Sequence, residues 1–595
     1  MAHGRPAREK ASADRPRRAR VALIVPPAET RNNECFPVPN ISIPTLAAHL
    51  RRKRIDTTLH DFDVPFHLKV KPAHPWTDFS LLRDPHAVAR WLSGKLKGKG
   101  ARSLEAAAAA LAPLCDALPE ADLYGLTLAD LKTPFLLNAA ALLADEIRRR
   151  TGKPVVIGHK DVSKQLYYEI LRDYPCFDYA VVIQGERELE QLAHAVVERE
   201  RRLPFNVYRR TSSGRVLKGV MQGHYPPLTF PDYRGYPLEL YRRTGRRILA
   251  SYNASGPAFR RLLAEHGGRE QLVLMSRFES HCAGQCIFCS SQTRSDRRTP
   301  AEVVEHLRAL KDQGATGVYF INANFNNHYD FALELCGRMV RARLGLQWCD
   351  CVNFRQLDER LLEKMRESGA VKLTFGLETG SARLLRYIRK GTTPERASRF
   401  LRRSHALGIW NHIEIIGGLP TETPADVADT VRFLEEHRDC IDVHSLNPFY
   451  LYPGSPLYRT PGRFGVSLRP APAGALDPFS ADEFVSAYSE RFDEVGGLSW
   501  EAKDRQIMDS TRAVTETLER IQPTLEVDSV HIELLMFLYS VFGHARKGVI
   551  SRLVRLATRR FKPFGSDQFL SPSNAVKTRY RRVLRPRVRA GKEAA

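Results

Sequence analysis

Two long stretches of this chain repeat one unit, a short apolar run followed by a helical stretch. That alternation restricts the fold to parallel sheets covered by helices. The first series runs from Val21 to about Glu200: VALIVP (21–26), TTLHDF (57–62), DLYGLTL (122–128), PVVIG (154–158) and YAVVIQG (179–185). Most of these runs are rich in β-branched residues, as strands buried on both faces are. Helical stretches at Ile43–Arg52, Phe135–Arg150 and Ser163–Arg172 separate them. The pattern predicts a doubly wound, Rossmann-like α/β domain over residues 21–200. Residues 65–121, with the Ala-rich Glu105–Leu111, are too long for an ordinary connection and read as a helical insertion.

The second series predicts an α/β barrel, either a partial (βα)6 barrel or a complete one, over residues 266–460. Its strands are QLVLMSR (271–277), GVYFINA (317–323), LQWCDCV (346–352), KLTFGLE (372–378), HIEIIGG (412–418) and DVHSLNPFY (442–450). Between the two domains, residues 201–265 carry Pro226-Pro227 and two arginine pairs and read as a linker. Residues 461–545 read as a helical C-terminal region, with helices expected near Ala481–Phe492, Trp500–Ile521 and Ile532–Phe542.

The 43% apolar and 27% charged composition is that of a globular chain. No apolar run approaches the ~20 residues that span a bilayer, so the chain reads as cytoplasmic, with no membrane partner. The net charge of +24 first suggests nucleic acid, but its distribution argues otherwise. Residues 1–20 hold seven basic against two acidic residues, and residues 545–595 hold fifteen against two. The ends thus carry +18, leaving +6 for the middle 524 residues. Residues 1–20 and 546–595 therefore read as basic tails.

Ten cysteines are too few for a disulfide scaffold in a chain this long, yet three crowd into eight positions. Cys282-Ala-Gly-Gln-Cys286-Ile-Phe-Cys289 has the spacing CxxxCxxC and follows the first barrel strand. Active sites of βα barrels sit at that end of the strands. No second Cys or His pair stands nearby to complete a zinc site. Three thiolates on one loop suit a 4Fe–4S cluster with one iron left open.

This loop, within a six-strand βα unit, resembles the radical S-adenosylmethionine (radical SAM) superfamily. Three further blocks carry the resemblance. Phe375-Gly376-Leu377-Glu378-Thr379-Gly380-Ser381, followed by Leu385, Ile388, Arg389, Lys390 and Gly391, looks like the family's strand-four block. Ile415 to Thr423 looks like the strand-five block, and Tyr452 to Tyr458 like the strand-six end. The resemblance implies that Cys282, Cys286 and Cys289 bind three irons while the open iron holds S-adenosylmethionine. It places Glu378 and Ser381 near that cofactor's ribose or methionyl end, and lets the backbone at Gly417-Gly418 approach adenine.

The chain departs from the family just before the cluster. Relatives of this type read Ser-Arg-Gly-Cys-Pro, whereas Ser276-Arg277 is followed here by Phe-Glu-Ser-His. Glu279 and His281 therefore stand beside the metal. They either pack the loop or contact the open iron. Such a contact would suppress reductive cleavage of S-adenosylmethionine and favour polar methyl transfer, making both candidate catalytic residues.

The first domain resembles the cobalamin-binding module that precedes many such barrels. Its best candidates lie at carboxyl ends of parallel strands, where doubly wound sheets bind ligands: Pro27, Thr127, Gly158, His159, Gly185 and Glu186. His159 equally suits a loop histidine that bonds backbone. The Asp-x-His-x-x-Gly motif of a lower axial histidine is absent from the sequence, which the resemblance links to a cobalamin with its base tail detached. Cys35, Asn32 and Asn33 face the corrin or serve loop chemistry. Asn322, Asn324 and Asn326 suit cofactor contacts or turns. Cys349 and Cys351 share a strand face and read as core. Tyr319, Trp348, Trp410 and Tyr450 read as aromatic core or as surfaces for an aromatic substrate.

Together these resemblances imply a cobalamin-dependent radical SAM methyltransferase. It would move a methyl group from S-adenosylmethionine, by way of methylcobalamin, to a carbon of a small-molecule or peptide natural-product precursor, as in antibiotic biosynthesis. The tryptophan 2-C-methyltransferase type is of similar length and organisation, which adds the indole C2 of tryptophan as an acceptor. The resemblance also implies an electron donor of flavodoxin or ferredoxin type and a monomer. Rival readings are a cobalamin-dependent cyclase or ring-rearranging enzyme, an RNA-binding or RNA-modifying protein using the basic ends, and a structural zinc protein.

Overall fold

The computed structural model of the chain describes residues 17–28, 38–128, 134–159, 162, 164–200, 202–223, 227–252, 254, 256–280, 282–290, 296–469, 490–521 and 532–558. The first sheet has seven strands in the order β2-β1-β3-β4-β5-β6-β7. They are β1 (Arg20–Val25), β2 (Asp56–Asp61), β3 (Leu123–Thr127), β4 (Val155–Gly158), β5 (Tyr179–Val181), β6 (Val207–Arg210) and β7 (Val216–Lys218). The first five are parallel, as the doubly wound reading requires. The last two run antiparallel and extend the sheet from β5. The boundary expected at residue 200 is corrected by this hairpin, which occupies the first part of the supposed linker. The insertion is helical as expected, built from short turns and the helix Gly98–Leu111.

The rest of the linker stitches the domains together. Asp61, at the end of β2, accepts hydrogen bonds at 2.5 Å from both Tyr236 and Tyr241. Tyr233 donates to the carbonyl of Met275 in the first barrel strand at 2.9 Å. Burial pushes the Asp61 carboxyl up from its ordinary value, and the two tyrosine hydroxyls oppose that shift.

The second sheet has six parallel strands in sequence order: Val273–Ser276, Gly317–Phe320, Gln347–Val352, Ala370–Glu378, Trp410–Gly417 and Val443–Pro448. No ladder joins its first and sixth strands among the described residues, so the barrel is partial. Helices return after each of the first five strands, several opened by a side-chain cap. Thr299 and Thr423, for example, form capping boxes with Glu302 and Asp426. Leu373, Phe375, Ile413 and Ile415 face the core beneath these helices. By strand alternation, Lys372, Thr374, His412 and Glu414 face the barrel interior.

The helix Ile532–Phe542 is buried from Ile532 to Tyr539. It shares a core with Val273, Cys349, Val371, Trp410 and Val443, at or near the amino ends of their strands. It therefore floors the barrel. A side chain at Gly317 would begin 2.3 Å from the Met536 sulfur. Cys349 and Trp410 belong to this core, as expected.

A basic tail from residue 546 is also corrected. Lys547–Thr558 forms a helix packed on the floor, and Lys547 is buried in an ion pair with Asp442 at 2.7 Å. The expected tail over 1–20 is corrected at its end, where Arg17 pairs with Asp122 at 2.8 Å and Arg20 opens β1. Residues 1–16 and 559–595 lie outside the described residues. So do residues 481–489 of the helix expected at Ala481–Phe492, whose last residue opens the strand Phe492–Glu494. Among the described residues no helix is long and apolar enough to cross a membrane.

Gly408 docks the floor. Its φ is +80°, and a side chain there would begin 2.3 Å from the carbonyl oxygen of His544. Gly408→Ala is expected to destabilise the chain by about 1–3 kcal/mol, read as a lower urea midpoint. Gly548→Ala, whose added methyl meets nothing within 4 Å, serves as the control that does not fall.

Candidate functional site: the cysteine loop and the strand ends

The cysteine loop is neither helix nor strand, so its backbone N–H groups need other partners. Asparagines at the end of the second barrel strand supply them. Asn322 accepts from the N–H of Phe278 at 2.9 Å and of Glu279 at 3.1 Å. It is itself held by Asp350 on the third strand, to which it donates at 2.7 Å. Asn327 accepts from the N–H of Ala283 at 2.6 Å and donates to Glu279 Oε1 at 3.0 Å. Asn326 turns the other way and ties its loop to Asn353 and Gln356.

Asn324 bonds sulfur. Its Nδ2 donates to Cys282 Sγ at 3.3 Å, as does the N–H of Gly284. A side chain at Gly284 would begin 3.0 Å from Cys282 Sγ and 3.8 Å from Cys286 Sγ, so the glycine leaves the space between the sulfurs open. Burial pushes the Cys286 thiol up to about 11, while Lys390 pulls it down. Among the described residues no three His, Cys, Asp or Glu side chains converge on one ion. A cubane instead spreads three thiolates over three irons. Donors aimed at sulfur and an open cradle fit that group.

Glu279 is 1% exposed. Its Oε1 takes the Asn327 bond and lies 3.4 Å from His328 Nε2, while Oε2 is buried with no hydrogen-bond partner. His281 lies outside the described residues.

The strand-four block is anchored differently. Glu378 ends its strand and pairs with Lys390 at 2.5 Å. Ser381 caps the helix Ala382–Tyr387 and donates its hydroxyl to Asp426 at 2.5 Å. At Gly417 and Gly418 the close neighbour is this chain's own helix Trp500–Ile521. Side chains there would begin 2.7 Å from Thr511 Oγ1 and 2.5 Å from Ile507 Cγ1.

Deeper inside, His412 joins three strands, bonding Thr374 Oγ1 at 3.2 Å through Nδ1 and Ser445 Oγ at 2.8 Å through Nε2. Neither this row nor Asn327 or Asp350 was identified from sequence. The clustered asparagines of Asn322–Asn327 were the available signal. Lys390 was quoted only as part of a motif.

In the first domain the expected residues gather on one edge. Thr127 and Gly158 pair across β3 and β4, and Gly158 pairs with Val181 of β5. Pro27 is buried just past β1, and Glu186 is buried in the first turn of the helix that Gly185 caps. His159 is clamped through its backbone, its carbonyl accepting from the Tyr167 hydroxyl at 2.9 Å. Chain packs closely at these ends, since a side chain at Gly185 would begin 3.0 Å from Leu46 Cδ2. A cavity of about 290 Å³ opens between the insertion and the helix Pro134–Thr151, lined by Phe66, His67, Lys71, Phe79, Arg83 and Phe135. Cys35, Asn32 and Asn33 lie outside the described residues.

The chain carries a radical SAM domain: residues 278–434 match the Radical SAM superfamily. The surrounding architecture shares its fold with solved enzymes of low sequence identity. The radical S-adenosylmethionine methyltransferase TsrM of Kitasatospora setae, solved with cobalamin and a 4Fe–4S cluster, superposes with a TM-score of 0.53 at 16% identity, over 91% of this chain and 99% of that one. With tryptophan substrate and a SAM analogue bound, the same enzyme gives 0.55 at 16% identity, over 90% and 100%. The cobalamin-dependent S-adenosylmethionine radical enzyme OxsB gives 0.51 at 15% identity, over 95% and 79%. Among curated proteins, an uncharacterized methyltransferase of Pyrococcus horikoshii is 24% identical over 311 residues, 48% of this chain and 59% of that relative.

Asn327→Leu strips partners from the Ala283 N–H and the Glu279 carboxylate, each a cost of about 1–3 kcal/mol. The expected outcome is a chain that folds but retains several-fold less iron after gel filtration. Circular dichroism and iron content check it together.

Proposed function

We propose that this chain is a cobalamin-dependent radical SAM methyltransferase, carrying a methyl group from S-adenosylmethionine to a carbon of a small-molecule or peptide acceptor. The observation that carries the reading is the asparagine-braced loop, with Cys282 Sγ under two N–H donors at the mouth of a partial barrel. Support comes from the fold shared with a methyltransferase solved with cobalamin and a 4Fe–4S cluster. When bound, the cluster would supply an electron and cobalamin a methyl carrier.

The chain's own residues do the rest. Cys282, Cys286 and Cys289 hold the cluster. Glu378, Ser381 and the Gly417-Gly418 turn form the wall for S-adenosylmethionine. Pro27, Thr127, Gly158, His159, Gly185 and Glu186 form the cobalamin site. The Thr374–His412–Ser445 row faces the acceptor and orients it by hydrogen bonds. The buried, unpartnered Oε2 of Glu279 supports a contact with the open iron and hence polar methyl transfer. The indole carbon C2 of tryptophan is the first acceptor to try, since the Kitasatospora setae enzyme was solved with that substrate.

The test is anaerobically purified, reconstituted protein supplied with methyl-labelled S-adenosylmethionine and tryptophan. Label is expected first in the corrin and then in product, and Cys282→Ala is expected to abolish both. Formation of 5′-deoxyadenosine with no label in corrin or product would favour the ring-rearranging reading instead. If Glu279 contacts iron, Glu279→Ala raises 5′-deoxyadenosine formation at least several-fold. An unchanged yield removes that role.

A further inference from the structure

Glu378 poses an electrostatic problem. Its carboxylate is 8% exposed, and it stands on the side of the barrel mouth where the cysteine loop docks. The N–H of Ile287, between Cys286 and Cys289, donates to the carbonyl of Ile388 at 3.1 Å. That bond ties the loop to the segment carrying Lys390. Lys390 Nζ then lies 2.5 Å from Glu378 Oε1 and 6.0 Å from the centre of the Phe288 ring. The lysine side chain is 14% exposed, so water screens this arrangement poorly.

Two backbone features make room for the pair. Glu378 has φ +64°, a left-handed conformation uncommon for a residue with a side chain, at an irregularity in the register between the fourth and fifth strands. Strain of this kind persists where the surroundings over-determine it, and it re-aims the side chain. At Gly376 a side chain would begin 2.6 Å from Lys390 Nζ and 2.7 Å from Glu378 Oε1, so only glycine fits beneath the pair. Lys390 also feels Cys286 and Glu414, both of which favour its charged form against burial.

We propose that Lys390 and Glu378 together tune the reduction potential of the cluster, Lys390 standing as a fixed cation that offsets the buried Glu378 carboxylate beside the cysteine loop. The inference rests on the cluster assignment above. Reduction adds one electron to the cluster from an external one-electron donor, and no bond forms or breaks. A nearby cation favours the reduced state and a nearby anion opposes it, more strongly where water is excluded. Lys390 and Glu378 nearly cancel as a pair. Removing one member exposes the cluster to the other, so the two single substitutions shift the potential in opposite directions.

The test is a potentiometric titration of the reconstituted protein without S-adenosylmethionine, with dithionite as donor and the EPR signal of the reduced cluster as readout. Iron and sulfide are counted first. Poised at the wild-type midpoint, Lys390→Met is expected to lower the ratio of reduced to oxidised cluster at least tenfold, a fall of 59 mV for a one-electron couple. Glu378→Gln is expected to raise the ratio at least tenfold. Lys390→Arg keeps the cation and stays near wild type, and the double variant returns most of the way. Should Lys390→Met fail to hold iron, Glu378→Gln alone carries the test through the sign of its shift. Unchanged midpoints in variants with full iron, or shifts of the same sign, overturn the proposal. Wild-type protein that takes up no iron or sulfide would instead remove the cluster assignment.

Discussion

A loop of irregular backbone that carries three cysteines gives up the helical and ladder hydrogen bonds that satisfy most of a backbone. The asparagine side chains after the second barrel strand make good that loss. Asp350 holds Asn322, Asn322 holds the N–H groups of Phe278 and Glu279, Asn327 holds Ala283, and Asn324 reaches the Cys282 sulfur. The first half of the loop is thus fixed from the third strand outward, through the second, and Ile287 ties its second half to the segment after the fourth strand. Burial raises the Asp350 carboxyl well above its ordinary range, and the Asn322 bond opposes that shift. The site therefore rests on buried polar groups that hold one another, with Glu279 Oε2 an exception among the described residues.

Much of the architecture was legible because buried parallel strands are apolar runs and their helices carry caps and periodicity. The helices at Trp500–Ile521 and Ile532–Phe542 have the expected bounds for that reason. Two of the misread boundaries share a cause. Prolines and charged residues read as signs of irregular or solvated chain across 201–265, where Val207–Arg210 pairs into the sheet, and from residue 546, where Lys547 is buried against Asp442. Long cationic side chains bury their stems or find partners, and a charge count does not see that.

The site divides along the same line. The cysteines were legible because their spacing is local to one loop. Glu279 was singled out because it breaks a familiar motif, and its burial makes that departure structural as well as sequential. The Thr374–His412–Ser445 row was invisible because it needs three strands in register, and one register fixes which face looks inward. Lys390 and Glu378 meet because of a register shift and one left-handed residue, neither of which leaves a mark in residue types. Gly417 and Gly418 were read for a ligand's approach, and the structure adds a second demand on them, the passage of a helix.

The floor made by Ile532–Phe542 gives the barrel a direction. Its amino end is stopped by a layer of hydrocarbon and sulfur from Phe537, Met536 and their neighbours. Among the described residues this layer closes the amino end to water and protons, and leaves the strands' carboxyl ends as the way in. The polar row at His412 is thereby insulated from below. Its protonation and hydration answer to whatever occupies the mouth above it, as the contents of a stoppered tube answer only to its neck.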